Sequence, residues 1–261
     1  MPKTLDFSPP PKAVLITGAS QRIGRAIALD FAERGWAVAI HYNRAEKAAQ
    51  TLAAQIESDG GKAVALGADL TQDGQAEGLI PRAIEVLGPL GCLVNNASCF
   101  EEDTPATATR ESWAVHMETN LHAPFILSRV FADQLAKPYS GNIINLIDQR
   151  VWNLTPYFTS YTVSKSGLWT LTQTLAMALA PRIRVNAIGP GPTFPSERQS
   201  QKQFDRQWQG TPLKRGTTVE EICEALHFLL ATPSLTGQML ALDGGQHLGW
   251  AQSDRDYMTE E

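Results

Sequence analysis

Ala13-Val14-Leu15-Ile16-Thr17-Gly18-Ala19-Ser20-Gln21-Arg22-Ile23-Gly24 decides the fold. Its first four residues are apolar and partly β-branched, the length and character of a short buried strand. The chain then turns through Gly18 into a segment that places Ile23, Ala26, Ile27 and Phe31 at helical spacing. A strand that turns on a glycine directly into a helix aims backbone N–H groups and the positive end of the helix dipole at one point, which suits a pyrophosphate. The Gly18/Gly24 pair is also compatible with a purely structural turn. Arg22, where many such loops carry a third glycine, adds a cation beside that point.

The same alternation continues along the chain. Trp36–Ile40, Ala63–Leu66, Gly91–Val94, Asn142–Ile147, Ile183–Ile188 and Gln238–Leu242 read as further strands. Between the second and third strands, Ala45, Ala48, Ala49, Leu52 and Ile56 form a helical stripe that ends at Gly60-Gly61. Long helices are predicted over roughly Arg110–Ala136 and Thr155–Ala180. Continuous apolar strands alternating with helices imply an α/β fold, one doubly wound parallel seven-stranded sheet with helices on both faces. Ligands of such sheets bind beyond the carboxyl ends of the strands. Gly18–Gly24, His41–Arg44, Asp69, Asn96–Phe100, Asp148 and Pro190-Gly191 all fall at those ends. The irregular segment Thr193–Thr218, rich in Gln, Ser and Arg, is too long for an ordinary loop and reads as a substrate lid.

The bulk numbers bound the function. The chain has 261 residues with 22 basic and 27 acidic side chains, a formal charge of −5, which gives no basic field for nucleic acid. Three cysteines (Cys92, Cys99, Cys223) show neither paired nor metal-ligand spacing, so reduced thiols and no bound metal are expected. No apolar run approaches the ~20 residues that span a bilayer, and the start lacks the apolar core of a signal peptide. The expectation is a cytoplasmic protein of one domain over 13–248, with a flexible lead over 1–12 and a polar tail over 249–261.

Two patterns carry chemistry. Tyr161 and Lys165 are four apart on a predicted helix and share one face, where an ammonium can stabilise a phenolate and draw its pKa from about 10 toward neutrality. Asp148 stands thirteen positions before Tyr161. The end of strand two, Ile40-His41-Tyr42-Asn43-Arg44, lacks the acid that NAD-binding sheets place there for the ribose 2′-hydroxyl. A 2′-phosphate would be welcomed by Arg44 and Asn43, so NADPH is the expected cofactor. Arg44 as a merely solvated helix-start residue stays open.

Thr17-Gly18-x-x-x-Arg22-x-Gly24, Asn95-Asn96-Ala97-Ser98, Asn120, Tyr161-x-x-x-Lys165 and Pro190-Gly191 together resemble the short-chain dehydrogenase/reductase family, from about Ala13 to His247. The resemblance implies a Rossmann-type domain in which Tyr161 is the catalytic acid, Lys165 holds the nicotinamide ribose, and Asn120 anchors a water in a proton relay. It implies a cofactor site from Gly18, Gln21, Arg22, Ile23, Tyr42, Asn43, Arg44, Asp69, Leu70, Asn96, Ala97, Ser98, Tyr161, Lys165, Pro190, Gly191 and Thr193. A homo-oligomer, dimer or tetramer, is implied as well.

One catalytic position departs from the common pattern, since a serine usually stands where this chain has Asp148. With Arg22, His41-Tyr42-x-Arg44 and Asn96-Ala97-Ser98-Cys99-Phe100, the sequence looks like the pteridine reductase branch. The ending Leu242-Asp243-Gly244-Gly245-Gln246-His247-Leu248 is similar to bacterial dihydromonapterin reductases. That resemblance implies a pterin substrate stacked on Phe100 and contacted by Arg22, Ser98, Asp148 and Tyr161. The chemistry agrees: a carboxylate repels the alkoxide that forms from a ketone, whereas reduction of a ring C=N asks for a proton that Asp148 can supply or relay. Reduction of a 3-oxoacyl ketone and cofactor sensing without turnover are the alternatives. Phe100 as plain packing, and Phe204 with Trp208 as either a closing lid or a packed one, also stay open.

Overall fold

The computed structural model describes residues 7–249 apart from 73, 197 and 198. The strands are β1 (Ala13–Ile16), β2 (Ala37–Tyr42), β3 (Ala63–Gly67), β4 (Cys92–Asn95), β5 (Gly141–Leu146), β6 (Ile183–Pro190) and β7 (Met239–Leu242). They form one parallel sheet in the order β3-β2-β1-β4-β5-β6-β7. The order reverses between β1 and β4, so the loops after these two strands diverge and open a crevice, the place where such sheets take ligands.

Alternation along each strand feeds two cores. Val14 and Ile16 face α1 (Arg22–Glu33), α2 (Glu46–Ser58) and α8 (Val219–Ala231), whose Ile27, Phe31, Leu52, Ile56, Leu226 and Leu229 complete one apolar layer. Ala13 and Leu15 face the other layer, built on α3 (Gln75–Leu87), α5 (Ala123–Gln134) and α6 (Thr159–Leu179) through Leu79, Ile80, Leu127, Phe131, Leu175 and Ala176. Both faces are covered, as a parallel sheet of apolar strands requires.

Several boundaries differ from the sequence reading, each for a local reason. The helix expected over Arg110–Ala136 is broken into α4 (Arg110–Met117), a π-helical turn over Glu118–His122, and α5. Pro124 has no N–H to close an ordinary turn onto the Asn120 carbonyl, so the backbone widens there. α6 begins at Thr159 rather than Thr155, after a short 3-10 turn over Gln149–Val151 and a left-handed Phe158 with φ of 56°. β2 extends through His41 and Tyr42, and β6 through Pro190, so residues expected just beyond these strands lie within their last turns of pleat. The Thr193–Thr218 segment is not irregular throughout: it holds α7 (Gln201–Gly210), started by a capping box between Ser200 and Gln203. Few apolar residues mark that helix, which hid its periodicity.

Part of the lead expected to be flexible is tied down. Ser8 N–H donates to Pro138 O at 3.1 Å and Ser8 O accepts from Ser140 N–H at 2.9 Å. Residues 1–6 of the lead and 250–261 of the tail lie outside the described residues.

Candidate active site

The loop after β1 is held from below by His41 of β2 and by Asn96, just past β4. Thr17 Oγ1 accepts from the N–H groups of Asn96 and Ala97, both at 2.9 Å. The Asn96 amide donates to Thr17 O and Gly18 O. Gly18 has a φ of +61°, and a Cβ on Gly24 would lie 2.3 Å from Gly18 O, so the crossing is possible only without side chains there. His41, fully buried at the end of β2, accepts from Gly18 N–H at Nδ1 (3.0 Å) and reaches Ala68 O with Nε2 (3.1 Å). Those partners fix a neutral ring protonated on Nε2. Burial holds its pKa down at about 4 against 6.5, with the Arg82 charge adding to the effect and the Ala68 bond opposing it. Asn96 and Ala97, expected to line the cofactor, therefore brace the loop as well.

The candidate catalytic side chains sit at the end of β5 and the start of α6. Tyr161 Oη donates to Asp148 Oδ2 at 2.8 Å, and Asp148 Oδ1 accepts from Arg150 N–H at 2.8 Å, capping the turn over Gln149–Val151. Both carboxylate oxygens thus act as acceptors. Lys165 is buried, donates to Leu146 O at 2.9 Å, and lies 5.9 Å from the Tyr161 ring centroid. Burial lowers its pKa to about 8, while Asp148 raises it.

The expectation that Lys165 draws the Tyr161 pKa toward neutrality is corrected. Burial, then the charge and hydrogen bond of Asp148, push the phenol well above its ordinary value. A carboxylate that accepts the phenolic proton stabilises the neutral phenol, and Lys165 turns its ammonium to a backbone carbonyl instead. Asn120, fully buried in the π turn, accepts from Cys99 N–H and donates to Cys99 O and Ser164 Oγ.

A pocket of about 290 Å³ opens in front of Tyr161, bordered by Arg22, Ser98, Phe100, Asp148, Arg150 and Phe158 among others. Phe100 packs 4.5 Å from Phe158 with the two rings nearly parallel, and meets Tyr161 edge-on at 4.7 Å. Arg150 lies over the far ring at 4.9 Å from the Phe158 centroid. Ser98 is exposed at the rim. Phe204 of α7 is buried and Trp208 Nε1 donates to Pro192 O at 2.8 Å, which packs α7 down onto the end of β6. Arg22 reaches across to that segment: its guanidinium donates to Pro195 O at 3.2 Å and lies 5.4 Å from the Phe194 ring centroid.

A second, open depression runs beside α1 and α2. Arg22, Arg25, Arg44 and Lys47 border it with Ser20, Gln21 and Glu46, four cations and one carboxylate around one cleft. Asn43 and Arg44 are exposed and Tyr42 half-buried. Asp69 is engaged by Thr71 through both its N–H and hydroxyl, which hold the carboxyl below its usual pKa. The Leu70 side chain is buried in the core, so only its backbone can face a ligand. Ile23, Pro190, Gly191 and Thr193 border the inner pocket, and a Cβ on Gly191 would lie 2.7 Å from Asp243 Cα.

The sequence model described as enoyl-(acyl carrier protein) reductase matches residues 18–247. The chain belongs to the short-chain dehydrogenase/reductase family. Within that family it is 30% identical to a 3-oxoacyl-[acyl-carrier-protein] reductase of Synechocystis over 90% of this chain and 96% of that one. Solved structures of FolM alternative dihydrofolate reductase 1 from Brucella canis and Brucella suis, both with NADP, are 46% and 47% identical and superpose with TM-scores of 0.90. Each alignment covers 93% of this chain, with 96% and 97% of the respective Brucella chains.

The family motifs guided the sequence reading to Asp148, Tyr161 and Lys165, which border one pocket, and to Asn120, which lies behind it and bonds to Cys99 and Ser164. They did not point to Phe158, Arg150, Arg25 or Lys47, and they included His41 only as part of the strand-two motif, without a partner for it. Arg25 and Lys47 carried a usable signal, since both lie on the first turns of helices that flank the expected phosphate positions. The bond from Gly18 to His41 and the packing of Phe158 carried none, because the partners are far away in sequence. Among the described residues no group of three or more acidic, His or Cys side chains could hold a metal, and no helix is long and apolar enough to cross a membrane.

Proposed function

We propose that this protein is an NADPH-dependent reductase of a pterin-type C=N bond. The observation that carries the reading is the 2.8 Å bond from Tyr161 Oη to Asp148 Oδ2, an acid pair facing a pocket with aromatic walls. Identity to the FolM proteins, at 46% and 47%, well above the 30% to the 3-oxoacyl reductase, supports the same assignment.

The residues fit the cofactor. A Cβ on Gly18 or Gly24 would run into Ala97, Asn96 or Gly18 O, so the loop crosses close to the strand end with its backbone N–H groups toward the ligand side, and the cleft with Arg22, Arg25, Arg44 and Lys47, four cations against the one carboxylate of Glu46, suits a 2′-phosphate. When bound, the reduced nicotinamide supplies hydride to the carbon of the C=N bond. Tyr161 and Asp148 share a proton that goes to the ring nitrogen, and Lys165 neutralises the charge left behind them. Phe100, with Ser98 and Arg22 at the rim, forms the platform and edge contacts for a flat heterocycle. Exposed Phe125, Val163 and Met177 on α5 and α6 fit a homo-oligomer formed through these helices; light scattering in solution checks it.

Arg44→Asp is expected to reduce the preference for NADPH over NADH by roughly tenfold or more, because it replaces a phosphate partner with a repelling charge. A ratio of kcat/KM for the two cofactors that stays within twofold of wild type would refute the role of Arg44.

The test of the function is loss of NADPH absorbance with a dihydropterin, with dihydrofolate and with a short 3-oxoacyl ester. Turnover of the dihydropterin supports the proposal. Turnover of the ester alone would assign carbonyl reduction, the reading favoured by the 3-oxoacyl reductases among the relatives. NADPH binding without oxidation of it on any substrate would assign a sensor.

A further inference from the structure

His116, Ser160 and Asp103 form a buried cluster behind Tyr161, with exposures of 0%, 0% and 2%. They are the residue types of a hydrolytic triad, but the wiring is different. Ser160 Oγ donates to Asp103 Oδ2 at 2.5 Å and is 2.7 Å from His116 Nδ1, so the carboxylate meets the serine and not the histidine. His116 Nε2 accepts from the backbone N–H of Glu101 at 3.1 Å, which leaves the proton on Nδ1, pointed at Ser160 Oγ and Ser112 O. A serine whose oxygen is enclosed and whose proton is held by a carboxylate cannot attack a substrate. The cluster joins parts instead.

The parts it joins are specific. Asp103 Oδ1 accepts from Ser160 N–H at 3.0 Å and Asp103 O from Thr159 N–H at 3.2 Å, so this one residue of the loop after β4 caps the first turn of α6. Burial works against an ionised Asp103, and the bonds from Ser160 and Ser112 outweigh it, leaving its pKa below the ordinary value.

Four residues along each helix, a second rung repeats the pattern. Asn120 Nδ2 donates to Ser164 Oγ at 3.0 Å, Ser164 Oγ donates to Tyr161 O at 2.7 Å, and the Asn120 amide grips both Cys99 N–H and Cys99 O. One rung holds residue 99 and the other residue 101. Phe100, between them, meets Tyr161 edge-on at 75°.

We propose that His116, Ser160 and Asp103 are positioning residues that, as the second rung beside Asn120–Ser164, fix the Phe100 ring relative to the Tyr161 hydroxyl and so set the affinity for a flat heterocyclic substrate. Two clamped neighbours leave the Phe100 backbone one conformation, which spares the substrate the cost of ordering the loop. The proposal rests on Phe100 as the stacking platform of the reductase described above.

The test uses the full chain with Ser160→Ala, Asp103→Asn, and His116→Leu beside His116→Gln, whose amide can still donate and accept. Two quantities are read: KM and kcat for a dihydropterin at saturating NADPH, and hydrogen exchange over residues 98–103 without substrate. The expected result is a KM raised about tenfold with a smaller change in kcat, unchanged NADPH affinity, faster exchange in the loop, and partial rescue by His116→Gln over His116→Leu. Ser160→Ala removes a single oxygen and keeps the fold testable should His116→Leu not fold. A KM equal to wild type in folded Ser160→Ala and Asp103→Asn overturns the proposal, whether or not exchange changes. Should wild type not turn over dihydropterins, the substrate reading fails separately; the loop-fixing role then stands on faster exchange in the variants and falls on unchanged exchange.

Discussion

Asp148→Asn lowers kcat/KM for a dihydropterin by on the order of a hundred- to ten-thousandfold, the range for removal of a general acid–base group. Asparagine is the informative replacement because its carbonyl can still accept from Arg150 N–H, the bond that caps the turn over Gln149–Val151. Asp148→Ala loses that cap too, at about 1 kcal/mol, and mixes a structural loss into the kinetic one. NADPH affinity should change little in either variant.

Asp148→Ser adds a second readout. Burial and then Asp148 hold the Tyr161 pKa well above its ordinary value. Removing the carboxylate takes away the second cause and leaves Lys165 in place, so the Tyr161 pKa falls. The alkaline limb of the pH–rate profile moves to lower pH, and any turnover of simple ketones improves. Pterin turnover within twofold of wild type in Asp148→Asn would sink the assigned acid.

The stability of the protein falls as pH drops from about 6.5 to about 4, the unfolded and folded pKa values of His41. The folded pKa is depressed, so the unfolded chain binds more protons across this window and acid favours it. Above the window both states hold a neutral ring and no loss occurs. At its lower end the loss amounts to ~3 kcal/mol. The main cause is burial of the ring, and a proton on Nδ1 would also face the Gly18 N–H that now donates to it.

Asp30, Asp69 and Asp103 act in a different window. Their folded pKa values are lowered from 3.8, so what they contribute is present above that value and lost only as pH falls below it. Urea unfolding midpoints from pH 7 to pH 4 measure the slope, and in His41→Asn, which does not titrate, the slope should flatten. An equal slope in that variant would mean that some other group sets the acid limit.

Much of the site was legible because its signals are local. Tyr161 and Lys165 share a face through helical spacing alone, and the absence of an acid between Ile40 and Arg44 needs no partner to be noticed. Asp148 was visible as a residue out of pattern at the end of a strand. What could not be read was the direction in which these groups act on one another. Four-residue spacing suggested that Lys165 stabilises a Tyr161 phenolate, yet the tertiary bond from Tyr161 to Asp148 and the turn of Lys165 toward Leu146 O reverse that balance.

By itself the sequence determined the doubly wound sheet, because apolar runs of strand length alternating with helical stripes leave few other ways to cover a parallel sheet. It also marked the strand ends at which the candidate site residues gather. The tertiary structure alone decided that His41 supports Gly18, that Arg22 reaches to Pro195 O, and that His116 and Asn120 clamp the loop on either side of Phe100. Periodicity records which face a residue shares with its neighbours along one element. A hydrogen bond between residues 23, 173 or 15 positions apart leaves no period, and only the packed fold brings those atoms within reach.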